Sequence, residues 1–178
     1  MKPSLILGAI VASLAAPAMA HVVLTVRTAP AGSYYTGAFE VGHGCSGSAT
    51  TALRVEIPAA ILTARPQPKA GWTLEIEREP LAAPVKGDGG ELVTTRAKAF
   101  IWRGRLPDDQ FDEFGISAKL PPAPGMLIFP AVQTCEQGEA RWVEAPAAGG
   151  PRPTHPAPTL TVTPGADDGM AGMDMSHH

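Results

Sequence analysis

The chain has 178 residues, of which 17% are charged, and its formal net charge at pH 7 is -3. This length supports one domain with a buried core, and a mild negative charge without a basic patch argues against a nucleic acid partner. Glycine and proline contribute 19 residues each, and aromatic residues only 6%. That composition favours short strands and turns over helices.

The N-terminal segment has the pattern of a cleaved export signal. Lys2 is followed by an apolar run over 5–16, and the small residues Ala18 and Ala20 end the segment. The apolar run is too short to span a bilayer, and no later stretch is long enough either. We therefore predict a soluble periplasmic, or otherwise exported, protein whose signal peptide (residues 1–20) is removed after Ala20.

Short segments that alternate between apolar and polar residues follow the signal, separated by glycine and proline. In the clearest case Leu53, Val55 and Ile57 share one face. The alternation predicts strands over 21–27, 34–41, 50–57, 71–79, 91–103, 111–120, 126–133, 140–144 and 160–162. These strands predict an all-β fold, an antiparallel β-sandwich of the immunoglobulin-like or cupredoxin-like type, in a single domain over 21–163.

Three segments have too little apolar periodicity to be strands. Residues 58–69 contain three prolines and are predicted as a loop. Residues 146–158 are rich in proline, glycine and alanine, which predicts a linker or a surface strap. Residues 164–178 offer nothing to a core, so we expect a flexible tail that is disordered without a ligand.

Cleavage after Ala20 makes His21 the first residue of the mature chain. A free N-terminal histidine offers two nitrogen donors, the α-amine and ring Nδ1, that chelate one metal ion together. The pKa of an α-amine is roughly 7.7–8.0. Because bound metal displaces its proton, affinity for the metal is expected to rise with pH.

The tail is unusually rich in metal-binding side chains. Methionine ordinarily fills a core, but this polar segment has no core to fill. Thioether sulfur is soft and selects Cu(I), whereas imidazole binds copper in both oxidation states. The tail is therefore predicted to bind copper through Met170, Met173, Met175, His177 and His178.

The chain has two cysteines, Cys45 and Cys135. In an exported protein such a pair predicts a disulfide. This disulfide would close a loop of about 90 residues and stabilise the fold by roughly 4 kcal/mol in the chain-entropy model. A thiolate copper site is the alternative interpretation.

Three further features inside the domain bear on metal binding. Residues 108–114 concentrate carboxylates, and one that lies in a pocket would suit Cu(II), which favours tetragonal nitrogen and oxygen sites. His43 stands between two glycines and is either a turn residue beside the disulfide or a ligand. Trp142 lies in a short strand and is either a core residue or a shield beside the ion.

Several short motifs occur in an order that is typical of one known family. They are His21–Val22 directly after the signal, Ala29–Tyr34, His43–Ser48, Thr51–Val55, Lys69–Trp72, Leu106–Asp109, Asp112–Phe114, Phe129–Pro130, Gln133–Glu136 and Trp142. On these motifs the chain resembles the YcnI-like family of exported copper-binding proteins over about residues 21–163.

The resemblance implies a β-sandwich that holds Cu(II) through a single-histidine brace. The amine and ring of the first mature residue supply two nitrogens, a glutamate supplies oxygen, and a tryptophan lies nearby. By resemblance these are His21, Glu113 and Trp142, with Asp112 and Gln110 as alternatives to Glu113. The His-Gly-Cys segment is not universal in the family, which makes His43 an additional ligand peculiar to this branch.

We therefore expect a copper carrier or chaperone without enzymatic activity, acting in copper uptake or delivery. Its expected partners are a membrane copper transporter or another periplasmic copper chaperone. One alternative is a histidine-brace copper oxidoreductase, in which only His43 or His155 can supply the second histidine of the folded domain. The other alternative is a β-sandwich interaction module without a metal.

Overall fold

The structure is a computed structural model that describes residues 21–87, 89–146, 149–150 and 153–165. These residues form strands and no helix; the described segments therefore contain no helix long and apolar enough to cross a membrane. The strands are β1 (Val23–Leu24), β2 (Thr28–Pro30), β3 (Tyr34–Val41), β4 (Thr50–Glu56), β5 (Ala64–Pro66), β6 (Thr73–Lys86), β7 (Leu92–Leu106), β8 (Asp112–Lys119), β9 (Gly125–Ile128), β10 (Ala131–Cys135), β11 (Glu139–Trp142) and β12 (Thr159–Thr163).

Two large sheets build the sandwich. The first has the strand order β1-β3-β8-β5 and the second the order β11-β10-β4-β7-β6, both with antiparallel pairing. A small third sheet has the order β2-β12-β9, in which β12 pairs in parallel with β2 and antiparallel with β9. The predicted all-β sandwich is confirmed.

The inner faces of the two large sheets share one hydrophobic core. Leu24, Phe39 and Phe114 form one row across the first sheet, and none of them is more than 2% exposed. Trp102 of the second sheet packs on Phe114, with ring centroids 5.5 Å apart. Burying an apolar side chain of this size stabilises by about 1.5–3 kcal/mol, so these contacts hold the sheets together.

The segment 126–133, predicted as one strand, is divided between β9 of the third sheet and β10 of the second. Two short edge strands also differ from the prediction. Segment 21–27 was expected to be one strand, but it pairs with β3 only over Val23–Leu24 before the chain crosses to the third sheet as β2. β5 lies inside the predicted loop over 58–69 and pairs with β8. Both β2 and β5 contain proline, which lacks an N–H donor and is tolerated on edge strands. Because both strands are only three residues long and contain proline, alternation of apolar and polar residues does not identify them.

Hydrogen bonds to β3 fix the start of the domain. The Tyr35 hydroxyl donates to the Val26 carbonyl at 2.7 Å, and the Thr25 N–H donates to the Ala38 carbonyl at 3.0 Å. Burial raises the pKa of Tyr35 to about 12, so the phenol keeps its proton at neutral pH. These bonds hold β1 at the edge of the first sheet and thereby limit where His21 can lie.

Cys45 and Cys135 form the predicted disulfide. Their Cα atoms are 6.0 Å apart, although the residues are separated by 90 positions in the sequence. The bond joins the loop after β3 to the end of β10. Because both sulfurs are engaged in the disulfide, neither is a thiolate ligand in the oxidised protein.

Candidate metal centre

His21 and Trp142 meet at one edge of the sandwich. β1 is the edge strand of the first sheet, and β11 is the edge strand of the second. His21 precedes β1 and Trp142 ends β11, and their ring centroids are 5.2 Å apart with the ring planes inclined by 46°. The residue predicted to chelate the metal therefore contacts the tryptophan predicted to lie beside it.

The indole of Trp142 lies on the core side of the second sheet. Its row in the strand register contains Val55 and Ala131, both fully buried, and Trp142 itself is only 4% exposed. Side chains directly opposite each other on neighbouring strands share a face. The half-buried imidazole of His21 therefore packs against the buried apolar ring of Trp142.

Gln133 is a buried polar residue that connects Trp142 to the disulfide loop. Its Oε1 accepts a hydrogen bond from Trp142 Nε1 at 3.4 Å, and its Nε2 donates to the His43 carbonyl and to Thr50 Oγ1 at 2.8 and 2.7 Å. From the sequence, Gln133 is identified only as part of a family motif, without a role. The feature that could have indicated a role is an amide side chain at an inward position of the strand over 131–135. A buried amide needs hydrogen-bond partners, so such a residue connects neighbouring elements.

His43 lies in the loop after β3. Its Nδ1 is 2.6 Å from the Gly44 carbonyl oxygen, and its own carbonyl accepts the bond from Gln133. The backbone of His43 is therefore linked to Trp142 through one glutamine side chain. Metal binding by the His43 ring stays a prediction.

Glu113 lies on the outer face of the first sheet. It stands opposite Glu40, which in turn stands opposite Val23, so Glu113 is two strands away from the backbone of β1. Neighbouring strands are about 4.8 Å apart. Its sequence neighbour Phe114 points into the core, and successive side chains of a strand alternate between faces. The structure thus separates Glu113 from Trp142, and its role as a ligand stays a prediction.

The two alternatives to Glu113 lie at the start of the same strand. The Asp112 carboxylate accepts a charge-assisted bond from Lys69 Nζ at 2.5 Å and a second bond from the Glu113 N–H at 2.9 Å. Gln110 precedes β8, and its N–H donates to the Pro107 carbonyl. Both bonds are made to Oδ1, so copper bound at Asp112 would share this carboxylate with the Lys69 ammonium.

A second histidine, His155, also contacts Trp142, with ring centroids 5.4 Å apart. The His155 N–H donates to Glu144 Oε2 at 3.1 Å, and Glu144 Oε1 lies 3.8 Å from His155 Nδ1. The sequence analysis named His155 only as the second histidine of an oxidoreductase and did not single out Glu144. No local pattern indicates this contact, because it depends on how the chain returns to the sandwich before β12.

Among the described residues, no three side chains of histidine, cysteine, aspartate or glutamate lie close enough together to hold a metal ion. The α-amine of His21 is not a side chain, and the predicted cleavage would free it as a donor. With the imidazole and a carboxylate it would form the nitrogen and oxygen set that Cu(II) favours. The predicted tail ligands lie outside the described residues: Met170, Met173, Met175, His177 and His178.

The strand arrangement places the chain among immunoglobulin-like β-sandwiches. It is similar to an uncharacterized protein from Nocardia farcinica, whose crystal structure is described as revealing an immunoglobulin-like fold. The two share 32% sequence identity with a TM-score of 0.60, over 80% of this chain and 97% of that chain. No curated protein sequence matches the chain.

Residues 21–162 match the domain of unknown function DUF1775. The chain belongs to this family, which is also the domain family of YcnI-like proteins, so the resemblance drawn from the sequence motifs is confirmed. The match begins at His21, the residue that the predicted cleavage would make N-terminal.

Replacing Gln133 with methionine tests the polar link behind Trp142. Methionine is of similar length, but it leaves Trp142 Nε1, the His43 carbonyl and Thr50 Oγ1 without this partner. We expect the free energy of unfolding to fall by about 2–4 kcal/mol, measured by denaturant titration. The exposed Gln137→Met is the matched control and should change it by less than about 0.5 kcal/mol. Equal effects of the two substitutions would contradict a structural role for the buried amide.

Proposed function

We propose that this protein is an exported copper carrier, a chaperone that binds copper as cargo for uptake or delivery and performs no catalysis. In this proposal, cleavage after Ala20 frees the α-amine of His21, and the amine and ring Nδ1 chelate one Cu(II) ion. Glu113 supplies an oxygen ligand, and Trp142 lies beside the ion. The contact of the His21 and Trp142 rings, at 5.2 Å, is the observation that carries the proposal.

The surroundings of His21 suit a chelate of this kind. The amine and the imidazole belong to one residue. Binding a metal ion through both therefore restricts few additional residues and costs little conformational entropy. The buried indole of Trp142 closes one side of the imidazole, which limits the approach of water and competing ligands from that side. Two neutral nitrogens leave the charge of Cu(II) uncompensated, and this is the physical reason for a carboxylate as the third ligand.

Coordination of copper by Glu113 requires the residues before β1 to change direction. Its carboxylate lies on the outer face of the first sheet, whereas Trp142 lies on the core side of the second. His21 and the residue after it precede β1 and would have to turn toward that outer face. In this proposal His21 therefore shifts toward the outer face when copper binds, while Trp142 stays beside it at the edge of the sandwich.

Export to an oxidising compartment is supported by the disulfide between Cys45 and Cys135. It is also supported by the family match, which begins directly after the predicted signal. We assign the protein to the periplasm on this basis. A membrane copper transporter or another periplasmic copper chaperone is the partner that such a carrier requires.

The proposal assigns Cu(I) to the tail, because its thioethers are soft ligands. The last described strand ends at Thr163, so the tail is tethered to the domain that holds His21. Tethering gives the tail a high effective concentration at the domain, which favours transfer of copper within one molecule.

Titration with Cu(II) of two forms of the mature protein tests the N-terminal chelate. One form begins at His21, and the other carries one additional residue before it, which turns the amine into an amide. We expect tight binding of the first equivalent, with an electron paramagnetic resonance signal of nitrogen and oxygen type, only in the first form. Equal affinity of both forms would contradict the chelate, and no binding by either would favour the interaction module without a metal.

The same titration identifies the carboxylate. Glu113→Gln removes an anionic oxygen but keeps the size of the side chain, so it should lower the affinity of the first equivalent. Asp112→Asn is the matched control, since that carboxylate is held by Lys69. If only Asp112→Asn lowers the affinity for Cu(II), the carboxylate ligand is Asp112 and not Glu113.

Deletion of residues 169–178 tests the tail. Because the deletion removes the clustered thioethers, we expect affinity for Cu(I) to fall while the Cu(II) spectrum of the first equivalent stays the same. Competition with a Cu(I) chelator measures the first quantity, and electron paramagnetic resonance measures the second. An unchanged Cu(I) affinity would contradict the proposed role of the tail.

A copper oxidoreductase is the second candidate, and one observation favours it. Histidine-brace enzymes need a second imidazole in the folded domain, and His155 contacts the same indole as His21. Such an enzyme also needs an exposed face for its substrate. Formation of oxidised sugars from a polysaccharide, with ascorbate and peroxide, would favour this candidate over the carrier.

A further inference from the structure

Trp142 contacts two segments that lead into the other two sheets. It ends β11 of the second sheet, His21 precedes β1 of the first, and His155 precedes β12 of the third. Both imidazoles contact the same indole, with centroid distances of 5.2 and 5.4 Å. The two imidazole centroids are therefore no farther apart than the sum of these distances.

Backbone hydrogen bonds hold His155 beside Glu144. The Glu144 N–H donates to the His155 carbonyl at 3.1 Å, and the Ala157 N–H donates to the Glu144 carbonyl at 2.9 Å. The Glu144 carboxylate additionally accepts the His155 N–H. Both backbones are fixed, whereas the side chains are 42% and 44% exposed. An ion from solution can therefore reach the pair without unfolding any strand.

The two side chains lie within ion-pair distance but beyond hydrogen-bond distance, which leaves room for a metal ion between them. His155 Nδ1 and Glu144 Oε1 are 3.8 Å apart, which exceeds the roughly 2.7–3.2 Å of an N–H···O hydrogen bond. Bonds from nitrogen and oxygen ligands to a first-row metal such as zinc are about 2.0–2.2 Å long. An ion placed between the two atoms can therefore bind both without a backbone movement.

We propose that His155 and Glu144 form a second copper position, separate from the one at His21, with the imidazoles of both positions in contact with Trp142. This inference builds on the proposed function, since it presumes copper as the cargo. Two positions are favoured over one shared site because no three such ligands lie together among the described residues. The second position has one imidazole and one carboxylate and no N-terminal chelate, so it binds Cu(II) more weakly than His21.

A weaker position next to a tight one gives the carrier a route for release. Copper leaving His21 can rebind at His155 and Glu144, at the same edge of the sandwich, before it is transferred to the tail or a partner.

The test uses the full mature chain beginning at His21, with His177→Gln and His178→Gln to remove Cu(II) binding by the tail. We expect Cu(II) titration, followed by electron paramagnetic resonance, to show two equivalents with distinct signals. His155→Gln and Glu144→Gln should each abolish the second equivalent and leave the first unchanged. Glu139→Gln, at a similarly exposed carboxylate of β11, is the matched control for Glu144→Gln and should keep both equivalents.

A parallel form with one additional residue before His21 separates the two proposals. It should lose the first equivalent and retain the second, and His155→Gln in this form should abolish the remaining binding. Retention of both equivalents by His155→Gln would overturn the second position. So would a single equivalent whose signal changes in His155→Gln, because that result assigns both imidazoles to one ion.

Discussion

Contacts of the Trp142 indole with the imidazoles of His21 and His155 join segments that lie far apart in the sequence. The indole is buried at the edge where the two large sheets end, and each imidazole belongs to a segment that leads into a different sheet. Truncating a buried tryptophan to alanine commonly costs about 3–5 kcal/mol. Here it would also remove the surface against which the first mature residue is positioned, so stability and the proposed copper site depend on the same side chain.

Behind the indole, Gln133 places a polar group inside an otherwise apolar sandwich. A buried amide is costly unless its hydrogen bonds are made, and no buried polar side-chain atom of the described residues lacks a partner. Gln133 bonds Trp142, Thr50 and the backbone of His43, the last of these two residues before the disulfide at Cys45. The disulfide loop and the candidate metal centre are consequently parts of one connected structure.

The sequence predicts the elements whose pattern is local. Strand β4 follows from the alternation of Leu53 and Val55, and the disulfide follows from a single cysteine pair in a chain with a predicted export signal. Strand β5 was not predicted because three residues that include a proline are too few to show alternation. The contact of His155 with Trp142 was not predicted because it depends on how the chain returns to the sandwich before β12. The contact of His21 with Trp142 was expected only through resemblance to a family, since 121 positions separate the two residues in the sequence.

The central claim is that the first mature residue holds the copper. Anomalous diffraction at the copper edge, from crystals of the Cu(II)-loaded protein that begins at His21, tests it most directly. The account predicts the strongest copper peak about 2.0–2.2 Å from both the α-amine and Nδ1 of His21. A strongest peak elsewhere, with neither nitrogen of His21 within bonding distance of copper, would contradict it.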